Sequence, residues 1–178
     1  PQAAGGGPAT GRVSCAGNYA GILNAGAPAG SGLITPPGTT PPELVVGQPM
    51  RVTGMAFLNA NFADNTVEGA IYDRVVVDTG FGLQSVILIQ TGITANGTFA
   101  GSVQSPNTAS SFAQGVGTYG GVFGGTDAAG VAGAISLTRV NDATGDELKN
   151  ITERGIFVLN QCGLAGVPAA PGCAGTAP

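Results

Sequence analysis

Histidine and tryptophan are both absent from this 178-residue chain, and without histidine no Ser-His or Cys-His nucleophilic arrangement can be built. Acid–base work would fall to carboxylates. The candidates are Asp64 and Glu68 beside one turn, and Asp142, Asp146 and Glu147 within one loop. A raised carboxyl pKa needs burial, and these positions read as solvated turns. The sequence therefore assigns no catalytic residue, and the reading is of a non-enzyme with no cofactor and no metal.

Charge is scarce as well: charged residues make up 9 % of the chain, against about 25 % in ordinary soluble domains. Six basic residues, Arg12, Arg51, Arg74, Arg139, Lys149 and Arg154, are scattered among ten acidic ones for a net charge of −4. A phosphate backbone calls for a clustered basic stripe, so nucleic acid is excluded as a partner. No apolar run approaches the roughly 18 residues of a membrane helix, so no membrane span is expected. The chain begins at Pro1 without initiator Met, charged n-region or apolar h-region, and reads as a mature or trimmed product.

There are only three cysteines, Cys15, Cys162 and Cys173. Their spacing fits neither a zinc nor a haem-attachment pattern. One disulfide with a thiol left over is the expectation, which implies an oxidising compartment.

What the chain has in abundance is glycine, at 32 positions, within a composition that is 43 % hydrophobic. Its length suits one folding unit with a core of its own. Residues 1–14 carry too little apolar area to fold alone and read as an N-terminal arm; 15–162 read as the domain and 163–178 as a C-terminal tail without periodicity. Within the domain, Asn18–Leu23 is a short first strand, followed by a proline-rich loop over 25–49 in which only Leu44–Val46 could pair. Arg51–Asn61 and Val67–Val77 alternate apolar and polar positions around Ala63-Asp64-Asn65-Thr66 and form a hairpin. Leu83–Gln90 and Thr98–Gln104 flank the tight-turn signal Ala95-Asn96-Gly97. A polar loop spans 105–114. Two glycine-spaced strands then meet at a Thr126-Asp127-Ala128-Ala129 corner, a charged loop spans 141–150, and Glu153–Asn160 is the eighth strand.

Eight consecutive antiparallel strands with little helical signal predict an all-β, eight-stranded up-and-down barrel with extended N- and C-terminal arms, since closure removes exposed edges. Strand glycines suit the tight coiling of a small barrel, and large rings, Phe57 or its neighbours Phe99, Phe123 and Phe157, would fill the volume they leave. Closure also sets the start of strand one beside the end of strand eight. That places Cys15 near Cys162 and predicts a bond between them, with Cys162–Cys173 as the alternative.

Other motifs point less far. Asn141-Asp142-Ala143-Thr144-Gly145-Asp146-Glu147 is oxygen-rich like a calcium loop, yet it lacks the regular ligand spacing and the closing Glu. Gly115–Gly125 lacks the Gly-Lys-Ser/Thr ending of a phosphate loop. Tyr19, Tyr72 and Tyr119, with Met50 or Met55, could ligate haem iron, although barrel tyrosines more commonly pack with the hydroxyl at a rim.

Taken together, Ala56–Ile71 (AFLNANFADNTVEGAI), Ile93–Val103 (ITANGTFAGSV), Tyr119–Leu137 (YGGVFGGTDAAGVAGAISL) and the closing Gly155-Ile156-Phe157-Val158 resemble the barrel of transferrin-binding-protein-B-like surface proteins. The resemblance covers about the C-terminal two-thirds of the chain. It implies a barrel from an exported, outer-surface or secreted protein of a Gram-negative bacterium whose job is binding. There is one barrel's worth of sequence and no N-terminal lipidated cysteine, since Cys15 lies inside the chain, so a lipid anchor is not supported. Two function classes follow. One is a cell-surface module that binds a protein or ligand through its long loops. The other is a self-assembling structural subunit of an extracellular filament or surface layer, a homo-oligomer whose arms pack on neighbouring copies. The resemblance favours the first.

Overall fold

The computed structural model describes residues 11–25, 49–106, 114–148, 151–166, 170, 172 and 173. The strands are β1 (Arg12–Ala25), β2 (Met50–Asn61), β3 (Thr66–Val76), β4 (Phe81–Leu83), β5 (Val86–Gly92), β6 (Thr98–Ser105), β7 (Gln114–Gly124), β8 (Gly130–Leu137), β9 (Val140–Asn141), β10 (Glu147–Leu148) and β11 (Ile151–Gln161). Eight of them, β1, β2, β3, β5, β6, β7, β8 and β11, form a closed antiparallel wall in which each strand pairs with its successor and β11 returns to β1. This is the up-and-down barrel expected from the alternation and turn signals. β4 caps the end of β3, while β9 and β10 form a small hairpin inside the last connection.

Several boundaries differ from the expectation. The first strand begins at Arg12 rather than Asn18, so the last residues of the expected 1–14 arm are wall, with Val13 buried. The fourth strand is split into β4 and β5, and the charged loop contains the β9–β10 hairpin. The expected pairing segment Leu44–Val46 lies outside the described residues.

Glycine in the wall has a specific task. At several inward-facing positions a large side chain from a neighbouring strand lies over a glycine, filling the space its own side chain would need. Phe157 covers Gly133, Phe99 covers Gly121 and Tyr119 covers Gly101, each directly opposite in register. Tyr19 crosses diagonally over Gly155. Eight strands leave an interior that side chains can just fill, and these pairs let rings enter without spreading the wall. Phe123 packs edge-on against Phe62 at 5.2 Å and tilted against Phe99 at 5.3 Å. Each buried ring contributes about 1.5–3 kcal/mol of transfer free energy. Phe57 is the exception to the expectation. It faces outward and packs its ring on Tyr72 at 6.1 Å.

The disulfide joins Cys162 to Cys173, and Cys15 is a buried free thiol. Closure does set β1 beside β11, with Cys15 opposite Gln161. What forbids the Cys15–Cys162 bond is strand parity: Cys15 and Gln161 share a face, so the next residue, Cys162, turns to the other. The bond instead brings Gly172 and Cys173 back onto the outer wall. A Cβ placed on Gly172 would lie 2.9 Å from Tyr72 Oη and 3.4 Å from Ala16 Cβ, which explains why the outward-facing Ala16 is only 1 % exposed.

Candidate functional site: the loop-bearing end of the barrel

The two ends of the barrel are built differently. At one end, the turn end, the connections are tight: 62–65, 93–97 and 125–129. Gly97 there has the positive φ that Asn-Gly turns require. At the other, the loop end, the connections are 26–49, 77–85, 106–113 and 138–150. Rigid walls carrying long loops at one end are a common way to position contact residues. Val77 and Phe81, 43 % and 45 % exposed, stand beside the turn between β3 and β4 at this end.

Beneath the loops the barrel interior is polar. Arg74 and Glu153 are 1 % and 0 % exposed and form an ion pair across the interior. Tyr19 donates its hydroxyl to the other oxygen of the same carboxylate, and Arg74 also donates to the Gln84 carbonyl. Gln84 extends the chain: its amide donates to the Pro106 carbonyl at 2.6 Å, and its side-chain oxygen accepts from Ser105 Oγ and, at 3.2 Å, from Asn141 Nδ2. Asn141 Nδ2 reaches the Gly145 carbonyl at 3.2 Å as well. The network thus runs from β1, β3 and β11 into three of the loop-end connections.

The backbone at β3 makes this possible. Asp73 has φ +50°, and the register with β2 slips between Thr53 and Met55. This irregularity shifts the alternation by one residue, so Tyr72 faces out and Arg74, two positions later, faces in. Room is left by glycines again. A Cβ on Gly54 would meet Arg74 Cγ at 3.2 Å, and one on Gly21 would meet Tyr19 Oη at 2.7 Å.

Burial first, and the Glu153 charge second, hold the Tyr19 phenol far above its ordinary pKa, so it stays a donor. Both Glu153 oxygens are engaged, an arrangement suited to clamping strands rather than to passing protons. Burial likewise pushes the Cys15 thiol up to about 12, and burial with a smaller contribution from Glu68 takes Tyr119 to about 12.

The loops above the network are tied to each other. Gln84 N donates to the Asn141 carbonyl at 3.0 Å, Ala143 N donates to the Gly82 carbonyl at 3.1 Å, and Leu83 bridges to Asp142. Asp142 Oδ1 accepts from Thr144 N, Thr144 Oγ1, Gly145 N and Asp146 N at 2.7–3.0 Å. The Thr144 hydroxyl, and then these backbone amides, lower the Asp142 pKa. The calcium-like stretch therefore folds around its own carboxylate as a turn. A recess of about 190 Å³ lies beside it, lined by Ser105, Gln114, Asn141, Gly145, Asp146 and Glu147. Among the described residues no cluster of three or more His, Cys, Asp or Glu side chains converges.

The other residues singled out in the sequence do not converge. Tyr119 donates to the Ile89 carbonyl at 2.6 Å, Tyr72 lies on the outer wall under the tail, and Tyr19 is in the buried network. Asp64 and Glu68 line a recess of about 390 Å³ at the turn end. Sequence reading missed Arg74, Glu153 and Gln84. The signal for Glu153 was present, because it shares the alternation of Gly155, Phe157 and Leu159 and therefore the core face.

No family model and no curated protein matches the chain. Among solved structures, intact Ap-TbpB, with its N and C lobes, is similar at a TM-score of 0.50 and 13 % identity, covering 86 % of this chain and 27 % of that one. A mutant of the vaccine antigen transferrin-binding protein B from Haemophilus parasuis Hp5 matches at 0.49 and 12 %, over 86 % and 27 %. The isotype 1 protein from serogroup B Neisseria meningitidis matches at 0.46 and 14 %, over 86 % and 25 %. The chain thus spans about a quarter of the length of these proteins. At such identity the likeness is one of fold, and it agrees with the resemblance read from the glycine-spaced strands: the chain is a single β-barrel of the kind found in transferrin-binding protein B.

Proposed function

We propose that the chain is a non-enzymatic binding module, exported to the outer surface of a Gram-negative bacterium, that presents its loop end to a protein partner. One observation carries the reading. The long connections share one end of a rigid barrel, and a buried network reaching from β1, β3 and β11 into the connections over 77–85, 106–113 and 138–150 holds that end from below. Such a platform lowers the ordering cost of binding, because the contact residues start close to their bound positions. Val77 and Phe81 supply exposed apolar anchors of the kind that dominate protein interfaces.

The fold likeness makes transferrin the first partner to test. Biolayer interferometry with the immobilised chain would measure binding to transferrin and to a panel of other serum and host-surface proteins. A specific partner should lose at least tenfold in affinity when Phe81 is replaced by Asp or when Asp142–Glu147 is shortened. Substitution of Asn96-Gly97 at the turn end should leave it unchanged. Indifference to the loop-end changes, or no saturable partner at all, would remove this reading. Antibody labelling of intact cells tests the location separately.

A further inference from the structure

Four consecutive wall strands, β5, β6, β7 and β8, contain no charged residue. They end at two outward apolar faces of different character. One lies where β1, β11 and β8 adjoin. Ile22, Ile156 and Val158 are 46 %, 61 % and 64 % exposed there, beside Ala134 and the cation Arg154. The Arg154 guanidinium reaches only the carbonyls of Leu137 and Glu153, at 3.4 and 3.3 Å, and meets no carboxylate among the described residues. The other face lies across β2, β3 and β5, where Phe57, Ile87 and Ile89 surround the exposed Glu68. No ion pair engages Glu68 among the described residues.

Around the barrel, Arg154 on β11 and Glu68 on β3 are three strands apart by way of β1 and β2 and five strands apart the other way, so the two faces are separate and look in different directions. Each copy therefore carries an apolar face with a cation unpaired among the described residues and, on a different side of the barrel, an apolar face with an anion likewise unpaired. We propose that these faces join, with Ile22 and Ile156 of one copy against Phe57 and Ile87 of the next and Arg154 against Glu68. The occupant is a second copy of this chain because the two faces are opposite in charge sign and alike in apolar character. A contact between two different faces is heterologous, so repetition adds copies beyond a dimer, into an open array or a ring. The inference is independent of the loop-end reading.

Sedimentation velocity and negative-stain electron microscopy of the full chain over a concentration series test it. The expected result is growth beyond a dimer into filaments or rings. Arg154→Glu and Glu68→Arg should each return the chain to a monomer, and the two together should restore growth, because the exchanged charges meet again across the contact. Both residues are exposed, and circular dichroism would check that each variant keeps the barrel. A chain that is monomeric at every concentration would overturn the proposal. So would a closed dimer, single exchanges without effect, or a double exchange that fails to restore growth.

Discussion

Tyr19 and Gly155 are diagonal neighbours across the β1–β11 seam, and the phenol occupies the volume that a Cβ on the glycine would need: the two would be 2.0 Å apart. The glycine is thus the condition for the tyrosine to reach Glu153.

Gly155→Ala should displace the phenol and destabilise the barrel by about 1–3 kcal/mol, the range for overpacking a core. Gly115 has nothing within 4 Å of an added Cβ and no positive φ. Gly115→Ala should therefore leave the urea midpoint nearly unchanged. Equal midpoints for both variants would show that Tyr19 has room to spare.

Breaking the buried pair should cost more. Arg74→Met leaves Glu153 buried without its cation, a loss of about 3–5 kcal/mol. Removing both charges in Arg74→Met/Glu153→Leu should recover most of that, because no uncompensated ion remains. A double variant less stable than the worse single would show that the pair stabilises the fold beyond its own desolvation. Urea unfolding of the three variants gives the answer directly.

Alkaline pH should destabilise the protein. Cys15 moves from 9.0 to about 12 and Tyr119 from 10.0 to about 12 on folding, and Tyr19 moves in the same direction. Groups raised in the native state keep their protons there while the unfolded chain loses them. Stability is therefore complete below about pH 9 and falls between about pH 9 and 12. For Cys15 alone the loss is on the order of 4 kcal/mol. Cys15→Ala should flatten the decline between pH 9 and 11, although it opens a small cavity that lowers stability at neutral pH. Urea midpoints measured at several pH values would show it, and an identical slope would contradict the burial argument.

Replacing Cys162 and Cys173 with serine should release the tail and leave the wall closed. The loop has a sequence separation of 11, for which chain entropy gives a loss of about 3 kcal/mol or less. Hydrogen exchange should rise at Ala16 and Met55, where the tail lies, and limited proteolysis should cut beyond Gln161. Protection of Ala16 that survives the substitution would show that the tail docks without its bond.

The barrel was legible because its evidence is local. Alternation in Arg51–Asn61, the Asn96-Gly97 turn and the corner at Asp127 each specify a strand or a reversal within ten residues. The buried network was not, because it depends on the alternation failing. Counted from Val67, the parity of β3 puts Arg74 on the solvent side, and only the positive φ of Asp73 turns it inward. Nothing in Tyr72-Asp73-Arg74 marks that residue as a bulge. The disulfide failed for the opposite reason: parity held, and its application to Cys15 and Cys162 would have placed their sulfurs on different faces. The outer face at Arg154 needed closure itself, since β1 and β11, far apart in sequence, share it only in the finished ring.

The wall begins at Arg12 and finishes at Gln161 on the same end, where Cys162 N donates to the Ser14 carbonyl at 2.8 Å. Entry and exit of the chain are therefore side by side, and the long connections lie a full strand length away. The barrel has a foot and a head. A tether joined to the chain ahead of Arg12 would hold the barrel by the foot, with the head pointing away from whatever it is anchored to.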